Sequence, residues 1–190
     1  MESAHVRSKG VNETLAMPLP VTIDRRQEAF EELYRSSRDD VYAYVATLLG
    51  DRGAAEDVTA LAFERAYRRR RTFRADRGSR RAWLFGIARN AALDELRRRK
   101  RIAPLFSEPT DTHDAADTRI ESADTVLRRA TVRAALASLG GRDREMIALK
   151  FHAGLSNGEI ARVLGTTETN AGTSLHRAIT KLRKACDENA

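Results

Sequence analysis

The sequence RRAWLFGIARNAALDELRRRKR, residues 80–101, indicates the fold class of this chain. Leu84, Ile87, Ala88 and Ala91 recur at the three- and four-residue spacing of one helix face. Five adjacent cations close the stretch, and strand-like alternation is not sustained here or elsewhere in the chain. We therefore predict an all-α protein.

Helical spacing also occurs on both sides of this stretch. The apolar residues that carry it upstream are Val41, Tyr44, Val45, Leu48 and Leu49 before Gly50, then Val58, Leu61, Ala62 and Ala66. Those downstream are Val132, Ala135, Leu136 and Leu139, before Gly140 and Gly141. The pattern predicts two small helical domains.

The charge of the chain favours a polyanionic partner. Lys and Arg number 34 against 27 Asp and Glu, for a net charge of +7, and residues 65–101 alone hold fifteen basic and three acidic residues. No apolar run is long enough for a membrane span or a signal peptide, which predicts a cytoplasmic protein without membrane insertion.

The sequence contains no candidate residues for catalysis or for metal binding. Cys186 is the single cysteine, so an internal disulfide is excluded, and the four histidines are too scattered to predict a metal site. There is no activated nucleophile and no phosphate-binding loop either. We predict a protein that is not an enzyme and needs no cofactor.

A change of composition divides the chain. The stretch 104–124 contains two prolines, six acidic residues and few large apolar ones, which predicts a flexible acidic linker. We therefore predict an N-terminal extension at 1–24, a first domain at 25–101, a linker at 102–124 and a second domain at 125–186.

The second domain contains the pattern of a helix-turn-helix. Ser156 and Glu159 form a capping box, Gly165 occupies a C-cap position, and Thr166 and Thr167 offer a second N-cap. An ordinary helical hairpin with a solvated polar face is the alternative. On the helix-turn-helix plan the second helix and its cap present to DNA Thr167, Glu168, Thr169, Gly172, Thr173, His176, Arg177 and Lys181.

Taken in order, AEDVTALAFERAYRR (residues 55–69), residues 80–101 and ALASLGGRDREMIALKFHAGLSNGEIARVLG (residues 135–165) resemble the extracytoplasmic-function sigma factors. The resemblance implies a region-2 domain that binds the clamp helices of core RNA polymerase and opens the minus-ten element. It also implies a region-4 domain that binds the minus-thirty-five element and the polymerase flap. The family commonly has an anti-sigma factor as a further partner.

The resemblance and the residues together give candidate sites in the first domain. Asn90 aligns with the family position that reads an extruded base, together with loop residues 76–79, which include Arg77 and Ser79. The aromatic residues that interleave with the arginines and offer stacking surfaces are Tyr67, Phe73, Trp83 and Phe85, although Trp83 and Phe85 are also candidates for the core. The expected phosphate contacts are Arg97, Arg98, Arg99, Lys100 and Arg101, which have no comparable acidic run beside them.

An acidic surface of the first domain suits a basic protein partner. The resemblance assigns polymerase binding to Glu56, Asp57, Phe63 and Glu64. Alternatively, Glu56 and Asp57 serve only to stabilise the N-terminus of their own helix through its dipole. Ala60 and Leu61 stand where the family usually carries Gln and an acidic residue, so contacts at these two positions depart from the family's.

The recognition helix departs from the family as well. Residues 171–175 read AGTSL, where the family usually has a run like Val-Lys-Ser-Arg-Leu. Both basic side chains are missing, and Gly172 costs the helix about 1 kcal/mol relative to Ala. We therefore expect weak binding of the upstream promoter element.

The predicted function is a sigma factor that binds core RNA polymerase, recognises promoter DNA and melts it. A polymerase-independent helix-turn-helix regulator is the alternative, but it leaves residues 83–101 without a role. A basic membrane-surface or RNA-binding protein that uses residues 65–101 is a second alternative, which the interleaved Asp94 and Glu95 fit poorly.

Overall fold

The computed structural model describes residues 25–102 and 123–188, and within these two ranges it contains seven α-helices, two short 3-10 helices and no strand. The prediction of an all-α fold is confirmed. The helices are α1 (Arg25–Leu49), α2 (Arg52–Arg68), α3 (Arg80–Ile102), α4 (Ala123–Ser138), α5 (Gly141–Phe151), α6 (Asn157–Leu164) and α7 (Glu168–Glu188); the 3-10 helices are Arg70–Thr72 and Ala75–Arg77.

The N-terminal helical group consists of α1, α2 and α3, each packed on the other two. Gly50 ends α1 in the left-handed conformation (φ +65°), and the next residue, Asp51, caps α2 by accepting a 3.0 Å hydrogen bond from the Ala54 amide. This short connection turns the chain back, so that α2 packs along α1.

The core of this group lies on the predicted helix faces. Val41 and Val45 of α1 and Leu84 and Ala88 of α3 are fully buried. Phe85 is fully buried too, because its ring packs edge-on against Tyr44 of α1, with ring centroids 5.4 Å apart. Of the two alternatives that the sequence offered for Phe85, a stacking surface or the core, the structure shows the core.

The C-terminal helical group consists of α4 to α7. The Ser156 hydroxyl accepts from the Glu159 amide and the Glu159 carboxylate accepts from the Ser156 amide, so the predicted capping box is present at the start of α6. Gly165 ends α6 with φ +66°, as predicted. On α7 the buried face contains Ala171, Leu175 and Ala178.

The two groups contact each other, with α5 packed on α1 and α6 packed on α3. One buried apolar cluster includes residues from both groups. We call this packing the closed arrangement. The predicted extension at 1–24 lies outside the described residues, and so does the predicted linker, except that Ile102 belongs to α3 and residues 123–124 to α4.

Candidate nucleic-acid interface

A half-open cavity of about 410 Å³ lies between the N-terminal part of α3, the loop that precedes it, and α6. We call it the α3 groove. The structure brings together here four of the predicted site residues, Arg77, Ser79, Trp83 and Asn90. The other side chains that shape it include Phe73 and Arg74 of the loop and Arg162 and Val163 of α6.

Aromatic rings form one wall of the α3 groove. Phe73 and Trp83 meet edge to face, with ring centroids 5.7 Å apart, and the Arg80 guanidinium lies 5.0 Å from the Phe73 centroid. Both rings are only half-buried. The groove therefore offers a planar surface beside cationic side chains, which is the combination that stacks an unpaired base and holds its phosphate.

Asn90 lies on the exposed face of α3 and lines the groove, and its amide has no hydrogen-bond partner among the described residues. A free amide carries both donors and an acceptor, so it can read a base edge. Ser79 lies at the other end of the groove, where its hydroxyl accepts a 3.1 Å hydrogen bond from the Ala82 amide and so caps α3.

The basic residues at the end of α3 have more acidic neighbours than the sequence analysis expected. Arg97 bonds to Asp94 (3.1 Å), Arg98 makes two bonds to Glu95, and Arg99 bonds to Glu95 and Asp51 (2.8 and 2.9 Å). The Arg98 hydrogen bonds, helped by Arg99, lower the pKa of Glu95 to about 2. Lys100 and Arg101 are exposed and have no such partner within the described part of the chain.

The ion pairs at the end of α3 leave these arginines accessible to an anionic partner. The Arg97 and Arg98 side chains remain more than half exposed, and exposed ion pairs contribute about 0–1 kcal/mol. A phosphate can therefore replace the carboxylate at small cost. The sequence predicted five unpaired cations at residues 97–101. In the described part of the chain only Lys100 and Arg101 can bind a phosphate without first releasing a carboxylate.

The recognition surface of α7 is held by local contacts. The Thr167 hydroxyl accepts a 3.2 Å hydrogen bond from the Asn170 amide, which confirms the second N-cap. Thr167, Glu168, Thr169, Thr173, His176, Arg177 and Lys181 are exposed, and Gly172 is half-buried.

Two of these residues have close neighbours. Lys181 donates to the Asp143 carboxylate of α5 at 2.6 Å. A Cβ atom on Gly172 would lie 3.3 Å from the Asn157 side-chain amide at the start of α6. The glycine therefore permits α6 and α7 to approach closely, which is a packing reason for a residue that weakens the helix.

The residues assigned to polymerase binding lie on α2. Glu56 and Asp57 are exposed, and both follow the first turn of α2, which begins at Arg52 and contains no acidic residue. Since the helix dipole acts within the first turn, it does not account for their position. Glu64 is exposed and pairs with Arg68 at 2.7 Å, whereas Phe63 is buried with its ring 4.8 Å from that of Tyr34.

Two arginines of α3 that the sequence analysis did not assign contact the C-terminal helical group. Arg81 donates to the backbone carbonyls of His152 and Ala153, and Arg89 donates to the Glu145 carboxylate of α5 at 2.7 Å. Sequence periodicity placed both on α3, but nothing in the local pattern indicates partners 56 to 72 residues away.

In residues 25–102 and 123–188, no group of three or more metal-ligating side chains lies close enough to hold a metal ion. No helix in this part of the chain is both long and apolar enough to cross a bilayer.

Comparison with known families identifies both helical groups. The model of Sigma-70 region 2 matches residues 33–102, and that of Sigma-70 region 4 matches residues 129–182. The first includes the α3 side of the groove and the basic end of α3, and the second includes the helix-turn-helix with the α6 side of the groove. The class of protein that this fold defines is therefore the sigma factors of bacterial RNA polymerase.

Curated relatives narrow the class. The chain is 33% identical over 164 residues to the ECF RNA polymerase sigma factor BldN of Streptomyces coelicolor, a match that covers 86% of this chain and 62% of that protein, which is less than two thirds of its length. It is 30% identical to SigX of Bacillus subtilis, covering 83% of this chain and 84% of that one. It is also 30% identical to SigL of Mycobacterium tuberculosis, covering 82% and 88%.

Two solved structures share the fold of this chain. The fold matches that of the sigma factor RpoE of Bartonella quintana, solved with the anti-sigma factor NepR, with a TM-score of 0.67 at 22% identity over 84% of this chain and 98% of that one. It also matches CnrH, solved with the cytosolic domain of CnrY, with a TM-score of 0.63 at 25% identity over 86% and 91%.

The chain belongs to the ECF RNA polymerase sigma factors, as the sequence analysis predicted, and it functions as a sigma factor in transcription initiation. A polymerase-independent helix-turn-helix regulator is not favoured, because the chain matches the model of Sigma-70 region 2 in addition to that of region 4. The relatives are sigma factors, which are not enzymes in the catalytic sense.

Proposed function

We propose that this chain is a non-catalytic initiation subunit that reads the minus-ten strand in the α3 groove and the minus-thirty-five duplex with α7. It acts in the cytoplasm on core RNA polymerase and promoter DNA. The proposed domains are 25–101 for the first task and 125–186 for the second, joined by a linker at 102–124 and preceded by an extension at 1–24.

The observation that carries this proposal is the composition of the α3 groove. One cavity contains half-buried aromatic rings, an unpartnered amide at Asn90, and the guanidinium groups of Arg74 and Arg77. Stacking, hydrogen bonding to a base edge and phosphate binding are the three interactions that an unpaired nucleotide needs. Melting then follows from binding energy, since a base held in the groove is withdrawn from the duplex.

The proposed division of polymerase contacts follows the charge of the surfaces. Glu56, Asp57 and Glu64 form an acidic face of α2 that suits the clamp helices of the core enzyme. Phe63 is buried among the helices, so we propose that it supports this face from below and does not contact the partner. The flap is proposed to bind the C-terminal helical group.

An anti-sigma factor is a further proposed partner. RpoE and CnrH, whose folds this chain shares, were solved with NepR and with the cytosolic domain of CnrY respectively. We propose that a protein of this kind binds this chain and controls its access to core polymerase.

Run-off transcription with core enzyme on a genomic library tests the proposed function. The protein should produce a defined set of transcripts, and Asn90→Ala should change that set, because losing base-edge hydrogen bonds costs roughly 1–3 kcal/mol of discrimination. Gln27→Ala is the matched control, since it removes an exposed amide side chain at the far end of α1. An unchanged minus-ten preference in Asn90→Ala would remove this residue from the reading site.

A further inference from the structure

We propose that two carboxylates of α3, Asp94 and Glu95, compete with DNA phosphates for arginines at the basic end of the same helix. We call them the α3 carboxylates, and the arginines concerned are Arg97 and Arg98. The inference rests on the proposed function, since it takes the end of α3 as a surface that faces duplex DNA. It concerns the sequence-independent part of the affinity, and all four residues belong to the N-terminal helical group.

Glu95 holds Arg98 with both oxygens of its carboxylate. Arg98 Nε donates to Glu95 Oε2 at 2.7 Å, and Arg98 Nη2 donates to Glu95 Oε1 at 2.8 Å. Arginine binds phosphate in the same bidentate manner. A phosphate that approaches this edge of the guanidinium must therefore displace Glu95 first.

The charge of Glu95 is present at every pH at which the protein meets DNA. The Arg98 hydrogen bonds, helped by Arg99, lower the pKa of Glu95 to about 2. The Glu95 side chain is 12% exposed, whereas that of Arg98 is 57% exposed. Water thus screens the carboxylate only in part, while the arginine stays within reach of an anion from outside.

Asp94 acts in the same way on the neighbouring arginine. Its Oδ1 accepts from Arg97 at 3.1 Å, and its Oδ2 accepts from Arg65 of α2 at 3.2 Å. Because Arg65 comes from a different helix, it keeps the carboxylate in place when a phosphate approaches Arg97. The Arg97 side chain is more than half exposed, so DNA can reach it once the exchange has occurred.

Arg99 is held more firmly and serves the fold. Its Nε donates to Glu95 at 2.8 Å and its Nη2 to Asp51 at 2.9 Å. Asp51 is also the residue that caps α2, so Arg99 joins the end of α3 to the turn between α1 and α2. A phosphate that took Arg99 would leave two carboxylates without this cation, which is a larger cost than one exchange. We therefore assign Arg99 to the fold and not to DNA.

The cations at the end of α3 are thus of three kinds: unpaired in the described part of the chain, exchangeable, and structural. In that order they are Lys100 and Arg101, Arg97 and Arg98, and Arg99. Sequence-independent affinity grows with the number of phosphates that a protein neutralises. By holding two exchangeable arginines, the α3 carboxylates keep this part small, so that a larger share of the affinity depends on the sequence read in the α3 groove.

A double-mutant cycle tests whether Glu95 acts through Arg98. The affinity of the full chain for a labelled duplex of random sequence is measured by fluorescence anisotropy at several salt concentrations. Glu95→Gln should bind about threefold more tightly, and its slope of log affinity against log salt should become steeper by ~0.9. In an Arg98→Gln background the same substitution should leave affinity and slope unchanged.

An exposed ion pair on α1 supplies the matched control. Glu32→Gln makes the same change of charge and removes a partner of Arg35, 3.6 Å away, at a distance from the end of α3. It should bind DNA as wild type does. An increase equal to that of Glu95→Gln would show an effect of net charge alone and overturn the proposal.

A second cycle at Asp94 guards against a loss of folding in the first. Asp94 is 53% exposed, so Asp94→Asn needs no repacking, and its effect should disappear in an Arg97→Gln background. Circular dichroism shows which variants are folded. Unchanged or weaker binding by folded Asp94→Asn and Glu95→Gln would overturn the proposal, since it would mean that the carboxylates do not compete with phosphates.

Arg99→Gln tests the structural kind. It should lower the Tm and leave the salt slope unchanged, whereas a shallower slope at an unchanged Tm would overturn the assignment of Arg99 to the fold. Run-off transcription by the wild-type chain with core enzyme decides the proposed function separately. If it gives no transcripts, the proposed function fails; if it gives transcripts while both carboxylate variants bind DNA as wild type does, this inference alone fails.

Discussion

The α3 groove and the recognition helix α7 are both assigned to DNA, but they are built from contacts of different range. The groove combines a loop, a helix and, in the closed arrangement, a second helical group, with Ser79 bonded to Glu159 eighty residues away. The exposed face of α7 depends on neighbours close in sequence, such as the bond between Thr167 and Asn170. A surface of the first kind can be opened and closed by moving one group, whereas a surface of the second kind persists wherever its helix folds.

The same difference appears in the charges. The groove and the end of α3 are rich in arginine, and several of these arginines are held by carboxylates of the same chain. Residues 171–175 of the recognition helix α7 include no charged side chain. We infer that the groove supplies most of the binding energy for DNA, while α7 contributes orientation and a weaker contact.

The largest expected effect comes from breaking the support of the groove. Phe85→Ala removes a fully buried ring that packs on Tyr44, and such truncations cost about 3–5 kcal/mol. Urea denaturation followed by circular dichroism should show this decrease in stability. Phe151→Ala is the control, because that ring is 64% exposed and its removal should cost under about 0.5 kcal/mol. Similar decreases in both variants would contradict the placement of Phe85.

Breaking the local cap of α6, the first helix of the helix-turn-helix, should have a smaller effect. Ser156→Ala removes the side-chain half of the capping box of α6, at a cost of about 0.5–2 kcal/mol. Ser138→Ala, which removes a hydroxyl that only bonds back to the Ala135 carbonyl within α4, is the matched control. Thermal denaturation should give a clear decrease in Tm for the first variant alone. An unchanged Tm in Ser156→Ala would show that α6 does not depend on its cap.

The sequence predicted the parts of the molecule that depend on local chemistry. The capping box at Ser156, the left-handed Gly165 and the end of α1 at Gly50 are each determined within a few residues, and all three are found. The buried face of α3 follows from helical spacing for the same reason.

The sequence did not predict what depends on tertiary packing. The sequence left Phe85 open between a stacking surface and the core, and its contact with Tyr44 decides for the core. The pairing of Arg99 with Asp51 and of Arg89 with Glu145 joins residues 48 and 56 positions apart, which no periodic pattern reveals. The covering of the groove by α6 escaped sequence reasoning because it depends on how the two groups pack.

A salt titration of DNA affinity tests whether the end of α3 contacts phosphates. Lys100→Gln with Arg101→Gln removes the two cations that have no carboxylate partner in the described part of the chain. The slope of log affinity against log salt for promoter duplex should become shallower by ~0.9 for each phosphate that the protein no longer neutralises, for all sequences alike. Arg35→Gln with Arg38→Gln on α1 is the charge-matched control. An unchanged slope would show that this end of α3 does not contact phosphates.

The smallest net effect is expected from adding charge to the recognition helix. Gly172→Lys with Ser174→Arg introduces two cations and removes a helix-weakening glycine, a gain of about 1 kcal/mol in helix propensity. Part of this gain is offset, because the new Cβ atom at position 172 meets the Asn157 side chain at 3.3 Å and must displace that flexible amide. Stability should therefore change little, while binding to upstream duplex becomes tighter and more dependent on salt. Asp187→Asn with Glu188→Gln gives the same change in net charge at the far end of α7, and fluorescence anisotropy should detect no comparable increase in affinity for it. If the affinity of both double variants rises equally, the increase reflects net charge alone, and residues 172–174 do not face DNA.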